Sequence, residues 1–269
     1  MTVLSLNGFN GSPWLTGTQD LGGWIDAAAA AGFPLFAPDC PAIGAWLESG
    51  QSLSALAQRF RDAQVGCAVV TVCGMLDNSP QQDSDFAFAL QAAEALDARF
   101  LQVNASAPDA ASQRAALEKG CAMLDGSGLK FAIEYMPITP LSTLAATVEL
   151  VDSVGREKAG ALVDIWHHSH DPDGWQTLAT APLDAIAYVE FCDALPLESE
   201  DLQMEMLQRR TMPGEGALDC NRFAGLLRDR GYGGLVSIEV LNAEWRNRPL
   251  GYFANACALA GERYFPSAI

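Results

Sequence analysis

A chain of 269 residues with 49% hydrophobic side chains can bury a substantial core, which excludes a disordered protein. Its 33 acidic and 16 basic residues leave a formal charge of −17. Such a field repels nucleic-acid phosphates and anionic lipid, so neither is expected as a partner.

Cysteine usage and the chain's apolar runs set further bounds. Seven cysteines, odd in number and without a CxxC pair, read as buried reduced thiols. No apolar run approaches the roughly 20 residues of a membrane span. The opening MTVLSLNGF reads as a strand and lacks the basic flank of a signal peptide, so a cytoplasmic location is expected.

A β-rich run, a polar or glycine-bearing break and an Ala/Leu-rich helical stretch recur with a period of about 30 residues. The β runs are 3–9, 33–38, 67–72, 100–105, 129–135, 160–166, 185–191 and 235–241. Helical stretches follow around 19–30, 51–63, 83–96, 109–124, 140–153, 172–179, 219–229 and 249–262. The segments SLSALAQRF and RFAGLLRDRGYGG each carry one apolar stripe, as external helices should. Asp219 is placed to cap the seventh helix. Eight alternations without a linker favour one (β/α)₈ TIM barrel over residues 1–269 rather than a doubly wound sheet. One connection breaks the period, running from Asp193 to Leu218 with a helical turn expected through Leu202–Leu207. Its length and its place after the seventh strand point to a lid on the catalytic face.

The informative residues are those that spoil the apolar strands. FAIEY, LVDIW, YVEF and SIEVL place Glu134, Asp164, Glu190 and Glu239 near the C-terminal ends of strands five to eight. In a barrel those ends converge on one mouth. Gathering four carboxylates there is costly unless a cation compensates, and an oxygen-rich shell suits Mn²⁺ or Mg²⁺ better than Zn²⁺. All three histidines fall in DIWHHSH. His167 is expected to bind or protonate a substrate oxygen beside the metal, and His168 and His170 are expected to be structural or exposed in whole or part. Arg209 and Arg210 precede MPGEG, where a guanidinium would close over a substrate oxyanion. Phe9, Trp14, Met75 and Trp166 follow strand ends and are candidates for the pocket wall. No P-loop, dinucleotide-binding glycine motif or nucleophile elbow is present.

The ordered set IEYMP (133–137), DIWHHSH (164–170), YVEFCDA (188–194), RRTMPGEG (209–216) and VSIEV (236–240) resembles the xylose isomerase-like, sugar phosphate isomerase/epimerase superfamily. The resemblance covers nearly the whole chain. It implies that Glu134, Asp164 and Glu239 bind a divalent metal, Mn²⁺ or Mg²⁺, and that His167 and Arg210 contact substrate. The third ligand position, usually histidine or glutamine in that superfamily, falls on Glu190. Four acids around one divalent ion leave a shell of about −2 before substrate binds. MPITP supplies no further substrate-binding acid of the ketose 3-epimerase kind.

The expected activity is a metal-dependent isomerase or epimerase of a keto sugar or polyol, acting through an enediolate, with Glu134 and Glu239 exchanging protons and Arg210, His167 and Trp166 holding substrate. The rival is a dehydratase of a keto-cyclitol or of a 3-dehydroshikimate-like substrate, with His167 as the acid. A non-catalytic barrel and an AP-endonuclease-like nuclease are the lesser alternatives. A homodimer formed through the outer helices is left open.

Overall fold

The computed structural model describes residues 2–18 and 20–266, and at Met75 the backbone alone. Eight strands run in chain order: β1 (Val3–Asn7), β2 (Leu35–Ala37), β3 (Val69–Leu76), β4 (Phe100–Ala105), β5 (Lys130–Glu134), β6 (Ala159–Asp164), β7 (Ile186–Phe191) and β8 (Leu235–Ile238). All pair in parallel, in the order β2-β1-β8-β7-β6-β5-β4-β3. The two edges meet through the bridges Leu35–Gly66 and Asp39–Thr71. Backbone hydrogen bonds from Phe36 to Gly66 (2.9 Å) and from Thr71 to Pro38 (3.0 Å) complete the closure. The fold is the (β/α)₈ barrel that the eight alternations predict.

Two cores hold it. A small one fills the barrel interior with Ala37, Val69, Ala132, Leu162, Tyr188 and Leu235. The larger one lies between the strands and the outer helices. Residues two apart on a strand share a face. Ala132, Leu162 and Tyr188 therefore put Glu134, Asp164 and Glu190 on the inner face one step higher, and Leu235 and Ser237 lead to Glu239. Apolar packing below thus aims the acids into the mouth above.

The outer helices begin where hydroxyl and carboxylate side chains cap them. Asp39, Ser52, Ser79, Asp109, Thr143 and Asp219 each accept a hydrogen bond from the backbone N–H three residues on. Each such cap contributes about 1 kcal/mol. The helix Cys40–Glu48 stands in a stretch that the periodicity reads as loop. Asp39 caps it, and Pro41 sits in its first turn, where proline costs no hydrogen bond. Among the described residues no helix is long and apolar enough to cross a membrane.

Five strands end before the apolar runs that predict them, and two of those ends shape the site. The sixth strand stops at Asp164, because its carboxylate accepts the N–H groups of Trp166 and His167 and starts the helical turn Ile165–His168. The eighth stops at Ile238, with Glu239 just beyond it.

The long connection after β7 is built rather than loose. Asp193–Ala194 pairs antiparallel with Arg210–Thr211, and Leu202–Gln208 is helical, as expected for that stretch. The Asp193 carboxylate accepts from the backbone N–H groups of Ala194, Gly214, Gly216 and Leu218. Gly216 is obligatory there, since a Cβ would stand 2.2 Å from the Ala194 carbonyl oxygen.

Candidate metal centre and active site

Strand register lays the acids side by side. Asn104 of β4 pairs with Glu134 of β5, and Asp164 of β6 pairs with Glu190 of β7. Glu190 is in turn level with Ser237 of β8. Glu134, Asp164, Glu190 and Glu239 are all buried, as are His167 and Arg210. The structure therefore brings together the four acids, the histidine and the arginine singled out from the sequence. Ligand atoms of Asp164, Glu190 and Glu239 lie within 4.8 Å of one another, and so do those of Glu134, Asp164 and His167.

Each carboxylate has its own support. Glu134 Oε2 accepts from Asn104 Nδ2 (2.8 Å) and Gln102 Nε2 (3.1 Å), while Oε1 lies 3.3 Å from His167 Nε2. Asp164 takes the Trp166 and His167 amides on one oxygen and the Arg210 guanidinium on the other. Glu239 meets Arg210 at 3.1 Å and Asn7 Nδ2 at 3.1 Å. Glu190 Oε1 accepts from Asn7 Nδ2 (2.8 Å) and the Tyr188 hydroxyl (3.3 Å). Its Oε2 is buried without a hydrogen-bond partner.

These environments push the acids apart in proton affinity. Burial drives Glu190 well above the ordinary carboxylate range, and the neighbouring charges of Glu239, Glu134 and Asp164 add to it. Burial pushes Glu239 up to about 8 against the pull of Arg210, with Glu134 and Asp164 raising it further. Glu134 is also buried, but the hydrogen bond and charge of His167, with Asn104 and Arg210, outweigh that and hold it below its usual value. A partnerless buried oxygen amid converging carboxylates is what a hard divalent cation satisfies. Oxygen donors with one imidazole at the side fit such an ion.

Glu134, His167, Arg210 and Glu239 open onto a cavity of about 210 Å³, whereas Asp164 and Glu190 lie beneath it. Phe9 and Trp14 line it and stack on each other, with centroids 5.8 Å apart. Its volume suits a small molecule rather than a polymer. The Met75 side chain lies outside the described residues.

Trp166 departs from the expected substrate contact. The turn started by Asp164 rotates it into the interior, where it is fully buried behind Arg210, whose guanidinium lies 5.6 Å from its ring centroid. His168 is held by the Tyr135 hydroxyl (3.1 Å) within an aromatic cluster, and His170 packs on Trp166. Arg209 pairs with Glu205 and Glu198 on the outer side.

Sequence reasoning missed the amides Asn7, Gln102 and Asn104. Their signal was available: each is a polar residue at the inner-face period of its strand, with Asn104 level with Glu134 and Gln102 one step below it.

Comparison with known proteins agrees with this architecture. A model of the xylose isomerase-like TIM barrel family matches residues 25–258. An inosose isomerase of Halalkalibacterium halodurans is 28% identical over 122 residues, 44% of this chain and 42% of that protein. The match thus spans less than half of that relative's length. The crystal structure of IOLI protein with a binding zinc atom has a TM-score of 0.85 at 16% identity, covering 98% of each chain. A xylose isomerase-like TIM barrel/4-hydroxyphenylpyruvate dioxygenase fusion protein has a TM-score of 0.82 at 18% identity, covering 98% of this chain and 43% of the other. With the family model spanning most of its length, the chain belongs to the xylose isomerase-like TIM barrel family.

Proposed function

We propose that the protein is a divalent-metal-dependent isomerase or epimerase of a keto sugar, polyol or keto-cyclitol, working through an enediolate. The observation that carries this reading is that Glu134 and Glu239, from strands three apart in the barrel, both open onto the cavity above the converging acids. Two carboxyls that face one cavity can take a proton from a bound substrate and return one to it. The partial likeness to an inosose isomerase supports the keto-cyclitol end of the substrate range.

Glu134, Asp164, Glu190 and Glu239 would hold the metal. The all-carboxylate set favours Mn²⁺ or Mg²⁺, although the IOLI protein was solved with zinc. When bound, the ion supplies Lewis-acid chemistry that makes the proton beside a ketone more acidic. Glu134, ionised and oriented by Gln102 and Asn104, takes that proton; Glu239 returns one from the other side of the cavity. His167 lies at the cavity wall beside Glu134 and binds a substrate oxygen. Arg210 fixes the far end of the substrate. The 193–218 segment, which carries Arg210, covers the mouth and keeps water from the enediolate.

A dehydratase is the second reading, favoured by the imidazole at the cavity wall: His167 would protonate a departing β-hydroxyl.

The deciding experiment is proton exchange followed by NMR in D₂O with added Mn²⁺ or Mg²⁺, over a panel of keto sugars, keto-cyclitols and 3-dehydroshikimate. Exchange without loss of water supports isomerase or epimerase action; an unsaturated product moves the assignment to a lyase. Glu134→Gln and Glu239→Gln should each lower turnover by orders of magnitude while leaving the fold intact. Near-normal activity in either variant removes that residue from the chemistry.

A further inference from the structure

We propose that Asn7 is a positioning residue that clamps two of the metal-facing acids. The proposal rests on the metal-centre reading above. Asn7 ends β1, two residues beyond Ser5 on the inner face, and it is buried. Its Oδ1 accepts the Phe9 N–H at 2.9 Å, which fixes the amide against a flip. The Nδ2 group must then face the acids, and it donates to Glu190 Oε1 at 2.8 Å and to Glu239 Oε1 at 3.1 Å. An amide nitrogen carries two protons, one for each carboxylate. No other side chain among the described residues bonds both of these acids' Oε1 atoms.

The consequence is directional. With both Oε1 atoms held, Glu190 and Glu239 turn their Oε2 atoms away from Asn7. Those are the partnerless oxygen of Glu190 and the Arg210-facing oxygen of Glu239. Two carboxylates from neighbouring strands are thereby kept apart and aimed by a neutral donor. The clamp is itself anchored. Asn10 donates to the Asn7 carbonyl (2.8 Å) and the Ile238 carbonyl (3.1 Å), and it accepts from the Val240 N–H (2.6 Å). This ties the end of β1 to the end of β8, on either side of Glu239. Groups that orient ligands in this way typically carry 10- to 100-fold in metal affinity.

The test is Mn²⁺ affinity, read by EPR of the free ion, in the full-length protein and two variants. Asn7→Ser keeps an oxygen for the Phe9 N–H and removes the reach to the carboxylates; it should weaken Mn²⁺ binding by about 10- to 100-fold. Ser12→Ala disturbs the same segment without touching either acid and should leave affinity unchanged. Retention within about twofold in Asn7→Ser overturns the clamp, and so does an equal loss in Ser12→Ala. Should Asn7→Ser not fold, the unmodified protein still decides. Its Asn7 side-chain NH₂ signals, followed by NMR, should shift on addition of Zn²⁺, and unmoved signals overturn the proposal. If the unmodified protein binds neither ion, the metal-centre reading fails instead.

Discussion

Arg210→Met offers the sharpest test of how the acid cluster is tolerated. Arg210 is buried, and one guanidinium nitrogen contacts both Asp164 and, at 3.1 Å, Glu239. Methionine preserves much of the side chain's length and removes the charge. Breaking a buried ion pair from one side costs about 3–5 kcal/mol, because the remaining acids lose their compensation. For a chain this size that corresponds to a fall in Tm of roughly 10 °C. A divalent ion would use the same Asp164 and Glu239 oxygens, so it should replace the missing charge. At a free concentration of about 100 times Kd, binding returns about 2.7 kcal/mol. Urea unfolding with chelator should therefore show a deficit of about 3–5 kcal/mol relative to the unmodified protein, and Mn²⁺ at one free concentration should stabilise the variant more than the unmodified protein and so narrow that deficit. A deficit below about 1 kcal/mol in chelator, or one that Mn²⁺ leaves unchanged, refutes the idea that Arg210 and the metal neutralise the same carboxylates.

The acids also set a pH dependence. Glu239, raised to about 8, and Glu190, raised well above its usual range, bind protons more tightly folded than unfolded. Their contribution is fully present below the unfolded carboxyl value near 4.5 and is lost as pH rises toward the folded one. Asp39, raised to about 6, and the unfolded imidazole of His168, whose folded value is lowered from 6.5 to about 4, have largely finished titrating by pH ~7.5. Between pH ~7.5 and ~8 in chelator, stability should thus fall with a slope of up to about 1.4 kcal/mol per pH unit for each glutamate, and Mn²⁺ should flatten the slope. A flat profile in chelator contradicts the buried-acid assignment. Cys73 is the one exposed cysteine of the seven. One thiol should react with a disulfide reagent in the native protein, slowly below pH ~8, and the other six only after denaturation; several fast native thiols would contradict the packing. Glu190→His should change metal affinity, as measured by calorimetry, and an unchanged value removes Glu190 from the ligand set.

The barrel was legible because parallel strands buried on both faces read as apolar runs. Even the three-residue β2 and the seven-residue helix Gly174–Thr180 emerged from FPLFAP and the 172–179 stretch. The helix Cys40–Glu48 is hidden from the β-α period because it stands inside one unit as an extra element. Its local signal, DCP with a capping aspartate and a proline in the first turn, was legible on its own terms.

The site divides along a chemical line. Acids interrupt an apolar strand conspicuously, so Glu134, Asp164, Glu190 and Glu239 stood out as a set. The amides that orient them interrupt it quietly, since a neutral side chain in VLSLNGF or FLQVNA reads as strand-compatible. Trp166 was misplaced for a related reason. LVDIW continues the strand pattern, and only the Asp164 carboxylate, by capping the Trp166 and His167 N–H groups, ends it early and turns the indole inward. The same aspartate meets Arg210 with its other oxygen. One residue thus ends the strand, swings the indole behind Arg210 and anchors the guanidinium, and none of these effects is local enough to be seen in a hydropathy pattern.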